Sequence, residues 1–248
     1  MRSLRWPVMM VMLVVMTLVL IRFAGTDSAP AAAQIESVGV RALLTRDESS
    51  MATLSRWAQQ GFPIAQRELG LALSASQVRY PEALSWLDKA ANAGDVAAQF
   101  ELAEANYKAR LGLQQNFAQA WKWYASAATQ NNSKASFMLA RMTKYGEGHP
   151  RDLALSVHWL KQASIGGNAQ AMFLLANAYT AGEGVERDQL KAREWLERSA
   201  EGDYPVAIHE MALLLDGNPQ SSDHDPLLAG HLRKEARDER TLRWNKYQ

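Results

Sequence analysis

Apolar residues are arranged in two ways along this chain. From Val8 to Ile21 they are continuous (VMMVMLVVMTLVLI), fourteen residues broken only by Thr17. From about Ala52 onward they sit one helical turn apart with polar residues between them, the spacing of helices that bury one side. Between the two, Gly25 to Gln34 (GTDSAPAAAQ) is small and polar without an apolar stripe and reads as a tether reaching about 15–20 Å. Residues 1–25 therefore form a signal anchor or signal peptide, 26–49 a linker with a possible short helix, 50–216 the folded body, and 217–248 a polar loop with a helix that caps it.

The apolar run is at the upper limit for a signal-peptide core and below the ~17 residues that span a bilayer. Trp6 and Arg22 at its two edges extend the usable span to residues 6–24, because an indole and a snorkelling arginine settle at the interfaces. Two outcomes stay open: an uncleaved membrane anchor, or cleavage near Ala33, where Ala31-Ala32-Ala33 supplies small residues. Arg2 and Arg5 precede the span and keep the N-terminus cytoplasmic, so the remainder is translocated.

Tryptophans recur at Trp86, Trp123, Trp159 and Trp195 with spacings of 37, 36 and 36, and an alanine follows each by twelve residues (Ala98, Ala135, Ala171, Ala207). Such a period is the mark of stacked helical hairpins. In helix A an Ala-x-x-x-Leu/Met pair shares one face. In helix B the tryptophan precedes small pairs: Ala90-Ala91, Ala127-Ala128, Ala163-Ser164 and Ser199-Ala200. Gly146-Glu147-Gly148 and Gly182-Glu183-Gly184 end helix A, and Asp152 and Asp188 cap helix B; Asn116 holds the same place in the second unit, with Gly112 as counterpart of the second glycine. Leu54, Ala58 and Gly61 form a preceding half-unit, with Trp57 out of register.

AGEGVERDQLKAREW (Ala181 to Trp195) and YGEGHPRDLALSVHW (Tyr145 to Trp159) resemble the Sel-one-like repeat (SLR) family, relatives of the tetratricopeptide repeats. The resemblance covers roughly Ala52 to Asp216. It implies an all-α fold: a right-handed α-solenoid of about four to five hairpins, here preceded by one N-terminal hydrophobic helix. It also implies a protein-binding inner face, service in the bacterial cell envelope, and no catalytic residue. Some secreted relatives staple each hairpin with a disulfide, which a chain without cysteine cannot do.

Composition narrows the chemistry. The 248 residues are 48% hydrophobic and 21% charged with no cysteine, which excludes thiol nucleophiles, Cys-based zinc sites and iron–sulfur clusters. With Arg2, Arg5 and Arg22 set aside, 24 basic side chains face 26 acidic ones, so the basic excess that binds nucleic acid is missing. His149, His158, His209, His224 and His231 are never three or four apart, which argues against a metal site, and Asp225-Pro226 reads as a helix start. No small-molecule cofactor is expected. Phe100, Phe137 and Phe173 are read as packing. Trp121, two residues before Trp123, is the candidate interface anchor, and Tyr107, Tyr145 and Tyr179 near the ends of successive A helices are candidates for a binding rim. The expectation is a non-enzymatic scaffold, single-pass in the bacterial inner membrane and facing the periplasm, that holds an envelope protein in its groove. Alternatives are an accessory enzyme or regulator of peptidoglycan or exported polysaccharide, and a periplasmic or secreted binding or effector protein.

Overall fold

The computed structural model describes residues 29–217 and 224–245, with side chains as far as Thr241. The apolar run 8–21 lies outside the described residues. Among these the chain is all-helical: α1 Ala32–Thr45, α2 Glu48–Gln59, α3 Pro63–Leu73, α4 Tyr80–Asn92, α5 Val96–Tyr107, α6 Phe117–Ala128, α7 Ser133–Tyr145, α8 Leu153–Ile165, α9 Ala169–Ala181, α10 Gln189–Glu201, α11 Pro205–Asp216 and α12 Pro226–Asn245. From α3 onward each A helix pairs with the B helix after it, and each hairpin packs on the next. The result is an α-solenoid.

Two kinds of turn repeat along it. At each B-to-A turn one residue takes a left-handed backbone: Gly61, Gly94, Asn131, Gly167 and Asp203. Asn and Asp are the side chains that best tolerate this region. The N–H of the next residue then donates back into helix B, as Asp95 does to the Ala90 carbonyl (3.0 Å) and Asn168 to that of Ala163 (3.0 Å). At the A-to-B turns of the second to fifth hairpins the cap residue donates into the last turn of helix A: Asn116 to Asn106, Asp152 to Thr143, Asp188 to Tyr179 and Asp225 to Leu215, all at 2.9–3.0 Å. The cap side chain then accepts from helix B, Asp225 from Leu228 N at 2.9 Å. The helix expected as a cap on the array thus pairs with α11 as a fifth hairpin, closed by the same bonds as the second to fourth.

Small residues let the backbones approach. Ala65, Ala98, Ala135, Ala171 and Ala207 are fully enclosed, as are Ala90, Ala127 and Ala163 in the B helices. The four in-register indoles occupy equivalent places, each half-buried. Trp123 and Trp159 each touch the cores of two adjoining units, so they bridge repeats instead of filling one. An indole is too large to disappear inside an alanine-rich hairpin and leaves one edge at the surface. Lys89 and Arg198 cover the exposed faces of Trp86 and Trp195 at 4.0 and 4.8 Å.

The packed body begins at Ala32, earlier than the expected Ser50. Within the segment read as a linker, α1 buries Ile35, Gly39 and Ala42 against α2 and α3. Gly39 crosses so close to α3 that a Cβ there would fall 2.3 Å from the Glu68 carboxylate. Arg67 locks this corner, donating to Glu36 (3.0 Å), Glu68 (2.7 Å) and Asp95 (3.0 Å) and so joining α1 and α3 to the cap of α5. Its guanidinium is 12% exposed and the Asp95 carboxylate 7%. Arg67→Ala leaves two nearly buried carboxylates unpaired and is expected to lower stability by about 2–4 kcal/mol in urea unfolding, whereas Arg193→Ala, from an exposed pair with Glu197, changes it by less than about 1 kcal/mol.

Candidate functional site

What the array can offer a partner depends on how its seams are closed. The second glycine of each Gly-Glu-Gly turn lies against the start of the preceding B helix. A Cβ on Gly148 would stand 2.3 Å from the Phe117 carbonyl oxygen, and one on Gly184 2.2 Å from that of Leu153. The glutamate between the glycines reaches the same neighbour from the other side. Tyr107 Oη donates to Glu147 (2.8 Å) and Lys144 Nζ to Glu183 (2.8 Å), residues at matching places in successive A helices.

The second unit lacks this turn. Ala109, Leu111 and Gly112 all take positive φ (53°, 55° and 73°), Leu111 beside the place where the other units have glycine. Without the close approach, a cleft of about 600 Å³ lies between Ser74, Gln77, Tyr80 and residues 109–112.

The four candidate residues are not brought together. Tyr107 packs on Phe117 and Tyr124 (ring centroids 5.2 and 6.4 Å) and spends its hydroxyl on Glu147. Tyr179 is 6% exposed, its ring 5.7 Å from Lys161 Nζ and 5.6 Å from Lys191 Nζ. Trp121 is half-buried and stacks on His149 of the next turn at 5.0 Å and 16°; its Nε1 is buried without a partner among the described residues. Only Tyr145, 64% exposed, stands at an opening. Of the three phenylalanines, Phe100 packs edge-on against Tyr124 (5.6 Å) and Phe173 against Tyr204 (5.5 Å).

That opening is a groove with an apolar floor and a charged rim. It lies between α7 and α9 over α8 and holds about 200 Å³. Phe137, Val157, Leu160 and Leu174 form the floor, while Arg141, Asn177 and the Lys144–Glu183 pair stand around it beside Tyr145. The Arg141 guanidinium meets no carboxylate among the described residues; its recorded contact is the Met138 sulfur at 3.9 Å. In the preceding unit the matching place belongs to Glu104, which is nearly buried and occupied. It accepts from Tyr124 Oη at 2.5 Å and pairs with Lys108. Sequence reading missed Arg141 and Leu174 because nothing local marks them; three helices from two units make the groove.

These features define a class, an all-helical hairpin array with a side-chain-sized groove on its A helices. The Sel1 repeat model matches residues 63–95, 96–132, 133–168 and 169–204, the hairpins α3–α4 to α9–α10 and more than half of the chain, and the chain belongs to that family. Sel1 repeats generally mediate protein–protein interaction and are generally non-enzymatic. A search of curated proteins returns no match. Solved structures with the same fold include a protective antigen of uropathogenic Escherichia coli displaying an SLR fold (TM-score 0.71, 22% identity, 84% of this chain and 46% of that one). Others are a Sel1 repeat protein from Oxalobacter formigenes (0.67, 22%, 85% and 87%) and an immunity protein from Pseudomonas aeruginosa (0.50, 19%, 86% and 82%). The chain spans about half the length of the first and most of the other two. Among the described residues no helix is long and apolar enough to cross a membrane.

Burial, and then the adjacent Glu104 carboxylate, push the Tyr124 phenol well above its ordinary value of 10.0; burial and Glu147 raise Tyr107 in the same direction. A raised folded-state pKa means stability that is whole below pH ~10 and is lost as pH rises beyond it, because the unfolded chain releases its phenolic protons first. Urea unfolding between pH 9 and 11 is expected to show this decline, and Tyr124→Phe to make it shallower, while lowering neutral stability by about 1–2 kcal/mol through loss of the buried bond.

Proposed function

We propose that this chain is a membrane-tethered scaffold facing the periplasm, which holds an acidic segment of an envelope protein across the α7–α9 groove. The groove supports this reading. At about 200 Å³ it is smaller than the ~300–1,000 Å³ of small-molecule sites, but it fits one or two apolar side chains. Arg141, left without a carboxylate, supplies the charge that an acidic residue beside them would meet. The tether rests on Val8 to Ile21 and on Arg2 and Arg5 before it, which favour translocation of everything that follows. Retention of the span is favoured over cleavage near Ala33, since α1 starts at Ala32 and its first turn closes with Gln34 N and Ile35 N donating to the Ala31 carbonyl at 2.9 and 3.1 Å. Intact mass of the protein recovered from membranes distinguishes the two.

The binding role is tested with a photo-crosslinking amino acid at Tyr145 in living cells. The expected result is an adduct with an envelope protein whose linked peptide carries acidic residues, reduced about tenfold or more by Arg141→Glu, a change of about 1.4 kcal/mol or more. An adduct that is indifferent to Arg141→Glu, or one that maps to a basic or wholly apolar peptide, contradicts the groove assignment.

A further inference from the structure

Helix α1 is apolar on two opposite sides. Its inner side carries Ile35, Gly39 and Ala42 into the core. Its outer side, with Ala33, Val40 and Leu44 at seven and four residue steps on one line and Leu43 beside them, faces away from the other described helices; Val40 is 54%, Leu43 43% and Leu44 75% exposed. A contiguous apolar patch of this kind belongs under a cover.

We propose that α1 lies on the bilayer surface, its outer side set among the acyl chains just below the headgroups. This rests on the anchored reading above and goes beyond it, since a tether alone would let the solenoid hang free. The chain length sets the reach. From Ala24, where the apolar span ends, to Ala32 is eight residues, at most about 27 Å even when fully extended, so α1 is the helix held nearest the membrane. The charges agree. The one acidic residue of α1, Glu36, is taken up by Arg67, whereas Arg41 and Arg46 are exposed and pair with no carboxylate among the described residues, leaving both for lipid phosphates. Val78 and Ile165 stand singly, and the other exposed apolar group, Leu213 and Leu214 on α11 with Leu227 and Leu228 on α12, belongs to the last hairpin, at the opposite end of the array from α1. Docking of α1 orients the array, with α7–α9 several hairpins away from the bilayer.

The absence of cysteine allows a clean test. The full chain is placed in nanodiscs of phosphatidylethanolamine and phosphatidylglycerol with single nitroxide labels at Val40→Cys, Leu44→Cys and, as an exposed control on α7, Lys134→Cys. Relaxation by oxygen, which enters lipid, is compared with relaxation by a water-soluble nickel chelate. The labels at 40 and 44 are expected to be several-fold more protected from nickel than the label at 134, and more accessible to oxygen. Equal nickel access at all three, with the chain still in the disc, overturns the docked helix and leaves the anchor intact. Spin–spin broadening at 44 overturns it in favour of a second copy, and a chain that does not stay in the disc overturns both readings.

Discussion

The structure depends on how closely one hairpin's backbone can approach the next. Alanines at the crossings and the second glycine of each Gly-Glu-Gly turn bring that distance down until a carbonyl oxygen of the preceding helix B occupies the space of a Cβ. Everything else follows from this approach. The glutamate between the glycines comes within reach of the neighbouring A helix, Trp123 and Trp159 each touch two cores at once, and the array is held by nearest-neighbour contacts, as solenoids are.

The groove is where that close fit is relaxed. Between α7 and α9 the place that Glu104 fills in the preceding unit is taken by Arg141, whose charge turns outward, and the floor of Phe137, Val157, Leu160 and Leu174 is left open. Copies of one hairpin thus come to differ at a single position: Glu104 is spent on a buried polar network, while Arg141 stays exposed.

Much of the fold was legible because hairpin stacking imposes a period, and the tryptophans, the paired small residues and the caps at Asn116, Asp152 and Asp188 all display it. The fifth hairpin was harder to see, since Leu232 replaces the tryptophan and Arg237 one of the small pair, and what preserves the unit there is a backbone bond from Asp225 to Leu215. Helix α1 was legible only as a possible short helix within a linker, because two of its three buried positions are Gly39 and Ala42, too small to draw a stripe. The tyrosine rim was misleading for a different reason. Tyr107, Tyr145 and Tyr179 stand nine, ten and eight residues after the helix-A alanines Ala98, Ala135 and Ala171, so they project in different directions around their helices: Tyr107 binds Glu147, Tyr179 is enclosed and Tyr145 is open.

The most direct test of an array held by its seams is native-state hydrogen exchange along the whole chain in rising urea. The account predicts graded opening from the ends of the array inward: α1 and α12 exchange first, and the amides of α7 to α9 last. Amides from α1 to α12 that all open together at one free energy would show a single indivisible core and contradict it.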